Sequence, residues 1–205
     1  MIRTIAMLAL LIGPVPAAAA QDVEPRVCVV SVKGTYGRLG IARDVVLGGG
    51  LSEVRFSWTG ASGPLSFQTF WSGDTLDVPD TAFVDLSLVG ISKRERGFAE
   101  MRIRRGDSRD GEVVGRVIGQ AGATPKHVAH TIRWGELRSM ASGGHLTVVA
   151  SGERFRELSR ATLPLAMFDE PARLAPAARM ALDAQLRDPA RNCRILEPEP
   201  DIVVT

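Results

Sequence analysis

Glu53-Val54-Arg55-Phe56-Ser57-Trp58 sets a charged or polar side chain at one position and an apolar one at the next. That period of two marks a strand with one face buried and one face wet. Gly60 to Pro64 then supplies turn chemistry, and Leu65 to Trp71 alternates again through Leu65, Phe67 and Thr69, with Phe70 and Trp71 stepping out of the register. Further along, Ala82 to Val89 divides into Phe83, Asp85 and Ser87 on one face and Val84, Leu86 and Leu88 on the other. Phe98 to Arg104 sets Phe98, Glu100, Arg102 and Arg104 against Ala99, Met101 and Ile103. Upstream, Arg26 to Val32 is rich in β-branched residues, and downstream Val113 to Ile118 offers another strand. Strands this short and frequent, separated by Gly and Asp, predict a mainly β (α+β) domain, an antiparallel β-sandwich or a barrel-like sheet.

The pattern changes after Gly119 to Pro125 (GQAGATP), the best candidate for an internal sub-boundary. Thr131 to Trp134 reads as the end of a strand. Gly135 to Ser142 reads as a short helix stopped by Gly143 and Gly144. Leu146 to Ala150 is a strand, and Phe155 to Leu165 is a second extended stretch. Pro171 opens a helix running to about residue 187, with Leu174, Ala177, Ala178, Ala181, Leu182 and Leu186 at three- and four-residue spacings on one stripe. Pro189 ends it. Glu197 to Pro200 is a stiff acidic stretch, and Ile202-Val203-Val204 an edge strand or a frayed end. The expected core is Trp58, Phe67, Phe70, Phe83, Leu86, Met101, Ile103, Leu146, Val148, Leu165 and Leu182.

The first twenty residues follow the order of a secretory signal. Arg3 is the only charge before Asp22, Ile5 to Ile12 is apolar, Gly13, Pro14 and Pro16 break any helix, and Ala18 to Ala20 are small. An apolar run this short does not span a bilayer, which takes about 20 residues. Gln21, not a cysteine, follows the expected cleavage point, so no lipid anchor is implied. No later segment is long and apolar enough to cross a membrane, and the mature chain is expected to be soluble and periplasmic or secreted. In that oxidising setting the chain's two cysteines, Cys28 and Cys193, are expected to pair, the alternative being two separate buried thiols. Removing Arg3 with the signal lowers the formal charge from +2 to +1, close to neutral, with no general attraction for nucleic acid or anionic lipid. The basic residues are mostly arginine, with lysine only at Lys33, Lys93 and Lys126.

Leu146-Thr147-Val148-Val149, a turn, then Ala161-Thr162-Leu163-Pro164-Leu165, Phe168 and an Ala-rich helix resemble the C-terminal part of invasion-associated locus B-type periplasmic domains. The resemblance covers about a quarter of the chain. It implies a small exported β-sandwich and no catalytic residue.

Several constellations invite a functional reading. Lys93 to Asp110 holds seven basic residues against four acids. Within it Arg94, Arg96, Arg102 and Arg104 form a candidate patch for an acidic surface or glycan, set against the plainer reading of a salt-bridged, solvated sheet face. Asp74, Asp77 and Asp80 share one loop and are candidates for a weak calcium site, although their spacing of three differs from the alternation of an EF-hand; the plainer reading is a turn whose carboxylates cap their own backbone. Arg105-Gly106-Asp107-Ser108 spells an adhesion tripeptide in what reads as a hairpin loop. His127 and His130 would share a face, and so offer two metal ligands, only if residues 126–130 were helical; His145 is distant. No metal site is assigned and no cofactor is expected.

For catalysis the chain lacks a Gly-x-Ser-x-Gly elbow, a phosphate-cradling loop (Gly48-Gly49-Gly50 has neither Lys nor Ser/Thr beside it) and a His-Glu-x-x-His pair. With both cysteines expected in the disulfide, no thiol nucleophile is expected. The expected function is a non-catalytic module of the bacterial envelope that binds a protein or a surface polymer. The competing class is a periplasmic hydrolase assembled from distant residues around His127, His130 or His145. A histidine, a serine and a carboxylate gathered in one cleft would favour the hydrolase. A shallow face with an exposed apolar or arginine-rich patch would favour the binder.

Overall fold

The computed structural model describes residues 24–46, 50–89, 98–107, 109–118, 127–152, 154 and 156–196. The expected signal (1–20), the sub-boundary (119–125), Arg94, Arg96, Ser108 and the C-terminal residues 197–205 lie outside the described residues.

The architecture is mainly β. A seven-stranded antiparallel sheet is formed by β1 (Arg26–Lys33), β2 (Gly37–Val45), β3 (Arg55–Ser62), β4 (Leu65–Ser72), β5 (Phe83–Val89), β8 (His127–Arg133) and the two-residue β11 (Arg194–Ile195). Its order is β11-β1-β2-β3-β4-β5-β8. A four-stranded sheet, in the order β10-β9-β6-β7, takes β6 (Phe98–Arg105), β7 (Glu112–Ile118), β9 (His145–Ser151) and β10 (Glu157–Pro164). Helix α1 (Trp134–Met140) runs into a 3-10 turn at Ala141–Gly143. Helix α2 (Glu170–Leu186) follows a second 3-10 turn at Leu165–Met167, and α3 (Pro189–Asn192) closes the helical stretch. The expected helices near 135–142 and 171–187 are thus present. Pro189, expected only to end the second, instead opens α3, whose N-cap Asp188 accepts from the Arg191 amide.

The inner face of the large sheet is covered in two halves. Helix α2 lies on β1 and β2, while β10 of the small sheet lies against β3 and β5, and β7 runs beside β8. Two side-chain bonds fasten the sheets: Ser62 Oγ donates to the Thr162 carbonyl (2.5 Å) and Ser159 Oγ to the Val89 carbonyl (2.9 Å). One hydrophobic cluster draws on both sheets and on α2, from Leu39, Trp58 and Leu86 through Met101 and Val148 to Ala178 and Leu182. Ala175 and Ala178 on the buried stripe let the helix approach the sheet closely, while Ala177, expected on that stripe, faces solvent. Trp134 and Phe168 (centroids 5.1 Å apart) pack together at the root of α1.

Alternation explains most of the large sheet. Phe56 and Trp58 point inward as expected, and so do Leu65, Phe67, Thr69 and Trp71, an unbroken set of odd positions in β4. Trp71 therefore keeps the register and stacks on Phe56 at 5.0 Å, while Phe70 takes an outward position like Ser66, Gln68 and Ser72. The β3–β4 turn is Gly63-Pro64, with Gly63 at φ +57°, a left-handed backbone at the first turn position that suits glycine. Two expected core residues are corrected: Phe70 is 57% exposed and Phe83 60% exposed, because both occupy outward positions of strands whose opposite positions fill the core.

Strand β2 was not expected. Its inward residues are Leu39, Ile41 and Val45, but Gly37, Gly40, Arg43 and Asp44 dilute the alternation, and long-range pairing with β1 and β3 makes it a strand. Cys28 and Cys193 are joined in a disulfide with Cα atoms 4.5 Å apart, closing a separation of 165 residues. Residues 194 and 195 then pair with Val27 and Arg26, and Arg26 donates to the carbonyls of Ala190 and Cys193. The end of the helical stretch is thereby riveted to the first strand.

Glu170, the first residue of α2, supplies a second rivet. Its carboxylate is buried (3% exposed) and accepts from the backbone amides of Thr35 (2.7 Å) and Tyr36 (2.8 Å) in the β1–β2 turn. Gly34 makes the approach feasible, since a Cβ there would sit 2.6 Å from the Glu170 carboxyl carbon.

Candidate functional site

The outer face of the large sheet is built from small and polar side chains. Register places Ser31, Gly40, Ser57 and Phe70 in one cross-strand row, and Arg38, Thr59, Gln68, Asp85 and Thr131 in the next. The β4–β5 register, one step beyond Thr69 opposite Val84, brings Phe70 opposite Phe83, and Phe83 in turn faces Arg133 on β8. Two large aromatic rings, each more than half exposed, therefore stand on adjacent strands of a face whose other positions are mostly small or polar. Asp85 is oriented by a 2.6 Å hydrogen bond from Thr131 Oγ1.

At the β8 edge this face rolls into a cleft of about 340 Å³ lined by Phe83, His130, Arg133 and Glu136, together with Glu112 and Val113 of β7. The cleft exists because β7 runs beside β8 without a hydrogen-bonded ladder among the described residues, so the two sheets part there. His130 is half-buried, opposite Leu86 in the sheet. No serine lines the cleft, and no group of three His, Cys, Asp or Glu side chains suited to a metal occurs among the described residues.

The outer face of the small sheet has a different chemistry. Arg102 and Arg104 share this face, as expected, and the register adds Arg160: Arg102, Val149 and Arg160 form one row, and Arg104, Thr147 and Thr162 the next. Arg102 donates to Glu100 (3.1 Å), a carboxylate only 3% exposed. Arg160 forms a two-pronged pair with Glu157 at 2.8 and 2.7 Å. Those hydrogen bonds hold the Glu157 carboxyl below its ordinary range against the opposing effect of burial, with the charges of Arg160 and Arg104 adding to the effect. Val149 is wholly buried between Arg102 and Arg160, whose methylene stems are long enough to shield it.

The remaining sequence candidates are dispersed. Asp74, Asp77 and Asp80 are all exposed; Asp74 lies 3.6 Å from Arg179, and the Asp80 carbonyl accepts the Gly135 amide at the start of α1. Residues 127–133 form a strand, so the helical condition for His127 and His130 to share a face is not met. His145 belongs to the other sheet, 3.6 Å from Asp107. Within Arg105-Gly106-Asp107, Arg105 donates to the Met140 carbonyl and Gly106 bonds to His145 through its amide and to Thr147 through its carbonyl. Sequence reasoning missed the platform because Phe70 and Phe83 were assigned to the core, although the alternation of Val84, Leu86 and Leu88 already turned Phe83 outward. Among the described residues no helix is long and apolar enough to cross a membrane. No family model matches the chain, and no curated protein or solved structure is significantly similar to it.

Proposed function

We propose that the chain is an exported, non-catalytic module of the bacterial envelope that binds a protein or a surface polymer through the outer face of its large sheet. The observation that carries this reading is the pair Phe70 and Phe83, 57% and 60% exposed on a face whose other positions are mostly small or polar. Placing two phenylalanines in water forfeits the stabilisation that their burial would bring, roughly 1.5–3 kcal/mol each, so a partner that covers them recovers a real driving force. Export is supported by the charged, apolar, small-residue order of residues 1–20 and by the Cys28–Cys193 disulfide. The C-terminal resemblance to invasion-associated locus B-type domains points to the same compartment.

Co-sedimentation with isolated envelope fragments tests the binding. The mature chain should pellet with them, and a Phe70→Ala/Phe83→Ala double variant should remain in the supernatant. Equal pelleting of both proteins, or of neither, would end the reading. Intact-mass analysis of the exported protein tests the compartment: the expected species begins at Gln21 and is two hydrogens lighter than the dithiol form, whereas retention of Met1 with two alkylatable thiols would exclude export.

A further inference from the structure

We propose that the outer face of β4, β5 and β8 binds an uncharged glycan strand, with Phe70 and Phe83 as the stacking platform and the β8 cleft as the subsite for the next sugar. This names the ligand class for the binding face described above and rests on that reading. A pyranose presents a face of C–H groups and a rim of hydroxyls. It therefore suits a flat aromatic ring with hydrogen-bonding side chains beside it, which few other polymers need together. Phe70 and Phe83 offer the rings; Gln68 and the Asp85–Thr131 pair lie in the adjoining cross-strand row, and Arg133 lies next to Phe83. From β4 to β8 the platform crosses two strand spacings, about 9–10 Å. A linked sugar chain laid across the strands thus covers both rings and reaches the cleft.

Two arguments select this occupant over others. A stable protein interface buries about 800 Å² per partner around a contiguous apolar centre. Here the neighbours of the rings in the sheet are Ser57, Gln68, Asp85 and Arg133, and two phenylalanines little more than half exposed leave no more than about 300 Å² for a partner to cover. Charge then separates glycans from one another. Arg133 is the only guanidinium lining the cleft among the described residues, while Glu112 and Glu136 line it too and Asp85 stands on the adjoining face. An acidic polymer meets net repulsion at this site, whereas neutral hydroxyls donate to the carboxylates and accept from the guanidinium.

The test is a printed array of neutral and acidic oligosaccharides, two or more pyranoses long, probed with the mature disulfide-bonded chain. Binding is expected on neutral oligosaccharides. It should weaken about tenfold in Phe70→Ala and in Phe83→Ala and persist in Phe70→Trp, which keeps a stacking face. Unchanged melting temperatures would show that the alanine variants fold, as expected for outward side chains. The proposal is overturned if no neutral oligosaccharide binds, if acidic ones are preferred, or if binding survives both alanine substitutions. A blank array together with envelope sedimentation that still depends on Phe70 and Phe83 removes the glycan assignment and leaves the binding module. Sedimentation that ignores both residues removes the binding module itself.

Discussion

The two sheets turn opposite chemistries outward. The small sheet carries Arg102, Arg104 and Arg160 on its outer face, yet Glu100 and Glu157 engage two of them, and the Thr147, Val149 and Ser151 positions beneath are at most 1% exposed. The large sheet spreads its outward charges, Arg38, Arg55, Asp85 and Arg133 among them, over several strands, and two aromatic rings stand uncovered there. The contrast teaches that a dense run of arginine is poor evidence for a ligand once its partners along the strand are known. Charges that satisfy one another along a strand have little left to offer a partner. Exposed aromatic surface is not neutralised in this way, because only contact with another body removes it from water.

The widest departure from this picture comes from cutting the frame behind the aromatic face. Replacing Cys28 and Cys193 by serine should lower stability by roughly 2–5 kcal/mol. Amide exchange should rise first along β11, β1 and α3, the elements the disulfide holds together, and later in β6 and β9. Equal loss of protection in both sheets would mean that they do not differ in anchoring. A smaller effect is expected from Glu100→Ala, which strips the Arg102 guanidinium of a nearly buried partner. Chemical denaturation should show a loss of about 1–3 kcal/mol. A neutral result would mean that the charged face does not support itself.

Smaller still is the exposed pair. Glu157 and Arg160 are each more than 40% exposed, so Glu157→Gln should cost no more than about 0.5 kcal/mol at neutral pH. Because the native Glu157 carboxyl is held below its ordinary range, its contribution is present above the unfolded pKa and fades as the pH falls through the lower native value. Wild type and variant should therefore converge in acid, below about pH 4. A gap that widened in acid would reverse the assignment. Least of all, Phe70→Ala and Phe83→Ala should change stability by within about 0.5 kcal/mol, since neither ring packs in the core. A loss of 2 kcal/mol or more would place those rings inside and erase the difference between the faces.

Several features were legible in the chain alone because they depend on neighbours in sequence. A period of two over residues 53–58 and 82–89 identified β3 and β5 and their buried faces. Paired glycines at 143 and 144 marked the end of the first helical stretch, where Gly144 takes φ +122°. Small-residue spacing located α2. The site was harder to read. Composition alone sends phenylalanine to the core, so Phe70 and Phe83 were misassigned even though their own strands' alternation turns them outward. β2 has too many glycines and charges to announce itself.

Local periodicity was thus sufficient to make this a mainly antiparallel β protein with a long helix after its strands β1 to β10, because backbone alternation and helical pitch act over a few residues. An expected oxidising compartment was enough to pair its two cysteines. Which strands lie side by side is a matter of contacts between residues far apart along the chain. Those contacts alone carried the β4–β5 register up to Phe70 and Phe83, set Arg102 and Arg160 on either side of Val149, and buried Glu170 under the turn at Thr35. Local sequence carries no record of such neighbours, since burial and pairing are properties of the packed whole.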